Sequence, residues 1–361
     1  MKKVNSKQTK CFILVLFMLV TLAIPVQAEE ETEDANPFRM VTTAGSSGYY
    51  SFDLNTDEVD YVLPSEYQPE GTSGNSSLEL SDFSDINSPE NGSGSISPNA
   101  VIGSSDNRIK ITDASLSQYR NTCLIVTRFK NNEKAYGTGF IIDDYHVLTA
   151  GHLVYRRINE IIGESAEDFT EDERWADHLA VYAGSSGGDW EKYSLAHYAR
   201  VGGDYVDYCD TETEYTQQGA FDDWAIIRCD TSMASVGHME IDPANSMSDM
   251  NGGTYYLQGY PRDKNEIEFG ENDDLNNLTD YYMYRTSGSI IMDVPNFNPR
   301  FLDLVYIDLD TDEGMSGGPV YYRSGGTNYA QAIYVCENDE FDYNCAILIN
   351  DWLYSLIQND L

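Results

Sequence analysis

Positive charge is scarce in this chain: 22 Lys and Arg stand against 60 Asp and Glu in 361 residues, a formal net charge of -38. Nucleic-acid binding relies on clustered Lys and Arg, so that class is excluded, and docking on an anionic membrane surface is disfavoured for the same reason. Histidine is scarcer still, with five in the chain, and His146, His178, His197 and His238 lack the paired spacing of a metal site. They read as structural or exposed. The acidic run Glu271-Asn272-Asp273-Asp274 has no EF-hand-like pattern and reads as a solvated loop, so neither a metal nor a cofactor is expected. Long apolar runs are also missing. The one stretch, Cys11 to about Pro25, is short for a membrane span of roughly 20 residues. There is no alternation of strands with helices of about a dozen residues, which argues against a parallel α/β sheet, and no internal repeat stands out.

What is present divides the chain in three. Lys2, Lys3, Lys7 and Lys10 precede the apolar run, which ends on Val26-Gln27-Ala28. A basic start, a short apolar run and small residues at -3 and -1 describe a secretory signal peptide at 1–28, cleaved after Ala28. Residues 29–100 begin Glu29-Glu30-Glu31-Thr32-Glu33-Asp34 and run into Ser, Gly, Asn and Pro, with Arg39 as their one basic residue. Pro69 to Ala100 holds only isolated apolar residues (Leu80, Phe83 and Ile86 among them), too few to offset chain entropy. Tyr49, Tyr50, Phe52, Leu54, Val59, Tyr61 and Val62 are denser and predict a small ordered patch docking on the rest. The segment is either a linker or an acidic, partly disordered pro-segment, and the second reading is the sharper.

From Val101 short runs rich in Val, Ile, Tyr and Thr alternate with Gly, Asn and Asp clusters, the pattern of an all-β protein. Expected strands include Thr122–Phe129, Thr138–Ile142, Val147–Ala150, Leu179–Ala183, Trp224–Arg228, Tyr255–Gly259, Ser289–Met292, Leu304–Leu309, Val320–Tyr322 and Ala330–Val335. At the end, Asn350 or Asp351 can cap a helix whose Trp352, Leu353, Leu356 and Ile357 follow a 3-4 period.

Three motifs bear chemistry. Val147-Leu148-Thr149-Ala150-Gly151-His152 ends a strand on a histidine, with Ala150 and Gly151 leaving room for an imidazole in a cleft. Phe221-Asp222-Asp223-Trp224-Ala225-Ile226-Ile227 opens a buried-looking strand with an acid, which could fix a histidine tautomer. Asp310-Thr311-Asp312-Glu313-Gly314-Met315-Ser316-Gly317-Gly318-Pro319-Val320 sets a serine among glycines, where a tight loop can aim several N–H groups at one point. Each alone has an ordinary explanation: a core histidine, a turn aspartate, a glycine-rich hairpin. Together they run His, Asp, Ser, the order of chymotrypsin-like proteases.

Here the sequence resembles the bacterial glutamyl endopeptidases of the chymotrypsin fold. Thr149-Ala150-Gly151-His152, Asp223-Trp224-Ala225-Ile226 and Gly314-Met315-Ser316-Gly317-Gly318-Pro319-Val320 match that family's histidine, aspartate and serine motifs. Val101-Ile102-Gly103-Ser104-Ser105-Asp106-Asn107-Arg108 resembles its mature N-terminus, Gly259-Tyr260-Pro261 its Gly-Tyr-Pro segment, and Ala346-Ile347-Leu348-Ile349-Asn350 its last strand. The resemblance covers about residues 101–361. It implies two six-stranded antiparallel β-barrels with a C-terminal helix, the first (101–235) carrying His152 and Asp223, the second (236–361) carrying Ser316. Ser316 is then the nucleophile, His152 the base and Asp223 its orienter, with the N–H groups of Gly314 and Ser316 as oxyanion hole. Asp222 competes with Asp223, and the family pattern favours Asp223.

With the signal peptide and the acidic segment, the resemblance points to a secreted enzyme acting on protein or peptide substrates, expected to be a monomer, made as a precursor and processed before Val101 by an activating protease or by itself. It departs at the pocket. The family keeps a His in the strand after the serine motif, where this chain has Ala332-Ile333-Tyr334-Val335, so cleavage after Glu loses its usual support. Asp310 stands six residues before Ser316, where trypsin-like enzymes keep a pocket-base acid. It is either such an acid, favouring Lys or Arg, or a solvated loop acid, and it is also a candidate partner for the Val101 amine. Asp310, Thr311, Tyr334 and Val101 form the expected pocket set. Cys336–Cys345 is the favoured disulfide in an exported protein and Cys209–Cys229 a plausible second one, with Cys123 buried and left over. The reading from another class is a catalytically silent, secreted binding protein or adhesin.

With four lysines in 1–28 and fifteen acids and one arginine in 29–100, residues 101–361 still carry a net charge near -28. The acidity therefore belongs to the enzyme body as well as to the leader, and it sets a field against acidic substrates.

Overall fold

The computed structural model describes residues 48–62, 105–131, 133–162, 165–168, 170–211, 220, 222–250, 253–265, 281–291, 304–338 and 343–359. The expected signal peptide, most of the segment up to 100, Val101 and Glu271–Asp274 lie outside the described residues. No helix among the described residues is long and apolar enough to cross a membrane.

Two strands come from the acidic segment before residue 100, the expected leader: β1 (Tyr49–Asp53) and β2 (Glu58–Val62), and β3 (Ile109–Ile111) follows. The first barrel is built from β4 (Thr122–Phe129), β5 (Lys134–Ile141) and β6 (His146–Ala150). A small ribbon of β7 (Asn159–Ile162) and β8 (Ser165–Asp168) and a single helical turn α1 (Glu171–Arg174) lead to β9 (Ala176–Ala183), β10 (Lys192–Gly202), helix α2 (Gly203–Thr211) and β11 (Trp224–Cys229). The sheet runs β11-β6-β5-β4-β9-β10 and closes by pairing β10 with β11, which gives six strands. The side chains of β4 show why it forms. Cys123, Ile125 and Phe129 face the barrel interior, while Leu124 and Val126 pack with Tyr260, Tyr281 and Met283 of the second barrel. A strand buried on both faces is a continuous β-branched and apolar run rather than an alternating one.

The second barrel comprises β13 (Tyr255–Gly259), β14 (Met283–Ile291), β15 (Leu304–Asp308), β16 (Pro319–Ser324), β17 (Thr327–Asn338) and β18 (Tyr343–Leu348), closed through β17–β18. The two-residue β12 (Glu240–Ile241) adds parallel to β17, and β3 pairs with β14. Leu257, Val305, Ile307, Val320, Ala332, Tyr334, Ala346 and Leu348 fill its interior. Helix α3 (Asp351–Asn359) closes the chain, with Asn350 as its cap, its Oδ1 accepting the Leu353 N–H at 2.9 Å. Trp352 of α3 meets Trp224 of the first barrel edge-on at 5.7 Å. The architecture is two closed six-stranded antiparallel barrels with a C-terminal helix.

Three elements differ from the sequence expectation. Strand β14 starts at Met283, six residues before Ser289. Neither β10 nor α2 was expected. The leader hairpin β1–β2 extends the first sheet. Strand β9 occupies one edge of β10 from Lys192 to Ala196, and β1 takes over from Tyr198 to Gly202. Phe52 is 1% exposed and stacks on Trp175 at 4.6 Å. Without β1 that part of the β10 edge would leave backbone groups unpaired.

No disulfide joins the five described cysteines. Cys336 and Cys345 are direct cross-strand partners in β17–β18. Cys209 feels the charge of Asp223, just before β11, whereas Cys229 ends that strand and bonds Ser194. The length of β11 therefore separates them, and the Cys209–Cys229 pairing is not supported by the geometry.

Candidate active site

The first barrel presents His152 through a hairpin. Strands β5 and β6 pair, β6 ends at Ala150, and a single 3-10 turn, Gly151–Leu153, follows. Antiparallel pairing sets Trp224 opposite Ala150, which brings Asp223 beside Gly151 and His152. Asp223 is fully buried. Its Oδ1 accepts the His152 backbone N–H at 2.8 Å and its Oδ2 lies 2.7 Å from His152 Nδ1. One carboxylate therefore fixes both the main chain and the ring of the histidine. Gly151 is required by this approach: a Cβ there would stand 2.9 Å from Asp223 Oδ1 and 3.0 Å from the Tyr205 ring of α2.

Asp222 points elsewhere. Its φ is 63°, its Oδ1 accepts the Trp224 indole N–H, and its Oδ2 accepts the Asp204 N–H at 3.2 Å. The left-handed backbone, which aspartate tolerates better than most residues, turns the two neighbouring carboxylates in different directions.

The serine loop joins β15 to β16. Gly314 and Gly317 have φ of 87° and 84°, and a Cβ on Gly317 would overlap Thr138 O and Thr149 Oγ1 and stand 2.8 Å from the Ala150 nitrogen. The loop thus lies against the end of β6, two residues before His152. Thr138 staples it there: its N–H donates to Ser316 O at 2.8 Å and its Oγ1 donates to Gly314 O at 2.7 Å. Ser316 itself is half-buried. Along the loop Met315 N–H bonds Asp312 O at 3.0 Å and Gly317 N–H bonds Tyr334 O at 2.7 Å. Among the described residues, the alternate N–H groups, those of Gly314 and Ser316, make no hydrogen bond. Two unpaired donors on either side of Met315 are what a developing oxyanion needs. Thr138, whose role sequence reading missed, sits between the glycines of Gly137-Thr138-Gly139, and that unusual triplet was the available signal.

The expected pocket residues converge, but under cover. Asp310, Thr311 and Tyr334 are each 1–2% exposed, and the Tyr334 hydroxyl lies 3.0 Å from Thr311 Oγ1. Asp310 is not a solvated loop acid, for its Oδ2 accepts the Asn107 N–H at 2.6 Å. Val101, its other suggested partner, lies outside the described residues. Next to it, the buried Arg108 guanidinium bonds Asp106, Asp263 and the Thr311 carbonyl at 3.1 Å. These contacts tie the segment after Ser104 to the loop that carries Ser316. Asp106 is held well below the usual carboxylate range by Arg108 and Lys264.

Asp312, in the same loop, is pushed up to about 7, first by burial and then by the charge of Asp263, although it accepts the Asp263 N–H at 2.7 Å. It binds its proton more tightly folded than unfolded. The native state therefore holds more protons between the ordinary value of 3.8 and about 7, and stability falls as pH rises through that window. Asp312→Asn is expected to flatten this decline. Thermal unfolding measured across the window checks it, and parallel slopes for parent and variant would assign the pH dependence elsewhere.

Among the described residues, no group of three or more His, Cys, Asp or Glu is placed to hold a metal ion. His146, His197 and His238 pair with Asp143, Asp230 and Glu240, and His178 lies in β9 opposite Arg128.

A family model described as a trypsin-like peptidase domain matches residues 137–327. The chain is 26% identical over 350 residues, 96% of its length and 92% of the relative's, to a Bacillus subtilis (strain 168) protein named extracellular metalloprotease. Among solved structures it is similar to a Glu endopeptidase in complex with MPD, with TM-score 0.51, 19% identity and coverage of 72% of this chain and 99% of that one. It is also similar to the protease Anisep from Arthrobacter nicotinovorans, with TM-score 0.46, 14% identity and coverage of 69% and 96%.

Proposed function

This chain belongs to the trypsin-like peptidase family and is a serine endopeptidase, and from that premise we propose that Ser316, His152 and Asp223 are its catalytic triad. Ser316 Oγ attacks the scissile carbonyl carbon while His152 takes its proton. His152 then passes that proton to the leaving amine, and an acyl-enzyme remains for water to hydrolyse. Asp223 keeps the His152 proton on Nδ1 and stabilises the imidazolium. The N–H groups of Gly314 and Ser316 receive the oxyanion. The observation that carries this reading is the double grip of the buried Asp223 on His152, through Oδ1 and Oδ2. A fluorophosphonate probe tests it: the label is expected on the Ser316 peptide and nowhere else.

Specificity follows the local charge. Asp310 lies buried six residues before the serine, and Tyr334 stands where a cationic imidazole would greet an acidic side chain. The residue before the cut is therefore basic, or at least not acidic. Cleavage of a peptide library is expected to disfavour Glu and Asp at that position, and a clean preference for Glu would sink the idea.

The enzyme is secreted as a precursor and cut between Ala100 and Val101. The cut frees the segment that Asn107 and Arg108 anchor to the serine loop. In the oxidising exterior, Cys336 and Cys345, opposite one another on adjacent strands, close a disulfide. Mass mapping of the exported protein without reduction reads both points. A chain starting at Val101 with a 336–345 cross-link is the expected result, and a start elsewhere or two alkylatable thiols would refute the corresponding half.

A further inference from the structure

In a chain so short of positive charge, most buried arginines are matched. Arg108 pairs with Asp106 and Asp263, Arg156 with Glu133, and Arg174 with Asp210. Arg200, half-buried as a residue, is different. Its Nε and Nη1 are sealed from solvent and have no hydrogen-bond partner. Its guanidinium stacks between the rings of Tyr49 and Tyr198, at 5.1 and 5.8 Å. Stacking leaves the in-plane N–H donors unspent, and a buried charged donor without an acceptor is costly. Arg200 lines a cavity of about 330 Å³ together with His146, Tyr198, Ile226 and Arg228. Strand register creates this cluster: Arg200 pairs with Ile226, Tyr198 with Arg228, and Arg228 with His146, so all five side chains leave the same face of β10, β11 and β6. Among the described residues Arg228 has no ion-pair partner either. Asp143, beside the cavity, is occupied by His146 Nδ1 and by the N–H groups of Tyr145 and His146.

We propose that this cavity binds a tetrahedral oxyanion, a phosphate or sulfate, held by the Arg200 and Arg228 guanidiniums with the Tyr198 and His146 rings beside it. Two guanidiniums on one cavity wall, neither with an ion-pair partner among the described residues, suit a dianion, and planar forks of N–H donors match its oxygens. The volume lies at the lower end of small-ligand pockets, which admits the free ion or a small monoester. The site is separate from the triad, because Arg228 stands five residues along β11 from Asp223.

Calorimetric titration of the whole protein with inorganic phosphate, against chloride at equal ionic strength, tests the site. Saturable phosphate binding is expected, weakened about tenfold or more in R200Q and in R228Q. Arg228 is exposed, so R228Q keeps the test open even if R200Q does not fold. Phenyl phosphate forms the second arm: tighter binding than inorganic phosphate assigns an ester, and equal or weaker binding assigns the free ion. No binding beyond the chloride control, binding unchanged in R228Q, or acetate binding as well as phosphate would overturn the proposal.

Discussion

Ser316→Ala is expected to lower kcat/KM for peptide hydrolysis by about 10⁶-fold and to abolish fluorophosphonate labelling, while leaving the unfolding temperature close to that of the parent. The size follows from the role: loss of the nucleophile in a triad removes the covalent route altogether, and what survives is binding plus the oxyanion donors, on the order of 10³–10⁴ above water. The small effect on stability follows from the loop. Ser316 contributes its main chain, through the Thr138 N–H, whereas no hydrogen bond is made by its Oγ among the described residues. An alanine keeps the first and forfeits only the hydroxyl. Peptidase activity of S316A within tenfold of the parent would show that the nucleophile is another group.

Some of this was legible in the residues and some was not, for physical reasons. Strands β4 and β13 were readable because burial on both faces, or a clean Tyr-Leu run ended by glycine, leaves few other conformations. The motifs of the proposed triad stand out in the sequence because close approach demands small residues: Gly151 beside Asp223 and Gly317 against Thr138 and Ala150. Strand β10 was hidden because its inward residues are small, such as Ser194, Ala196 and Ala199, while Lys192, His197 and Arg200 interrupt any apolar pattern. Helix α2 was hidden by Asp204, Asp207 and Asp210, which look like an acidic loop, although Tyr205, Val206, Tyr208 and Cys209 on the other side are buried. Burial of the pocket set could not be read at all. It depends on Asn107 and Arg108 reaching across some 200 residues to Asp310 and Thr311, and no local pattern records such a contact. The leader hairpin is intermediate. Its aromatics announced order, but that it would continue the edge left by β9 is a matter of register.

Asp223→Asn is expected to reduce kcat by about 10⁴-fold with KM little changed. The reason lies in the double grip. The His152 backbone N–H is a fixed donor, so the asparagine must present its oxygen there, in the place of Oδ1. Its NH₂ then occupies the place of Oδ2, 2.7 Å from Nδ1, and can only donate. Nδ1 is forced to accept, the ring proton moves to Nε2, and the imidazole can no longer take a proton from Ser316. The fold is preserved because both hydrogen bonds persist with one reversed. Asp222→Asn is the control. That carboxylate serves the Trp224 indole and the Asp204 N–H, two donors that an amide cannot both satisfy, and its left-handed φ suits asparagine. D222N should therefore unfold at a lower temperature yet retain kcat within a few-fold of the parent in its folded fraction. Activity and unfolding measured on both variants separate the two carboxylates: a 10⁴-fold loss in D222N with near-normal kcat in D223N would exchange their roles.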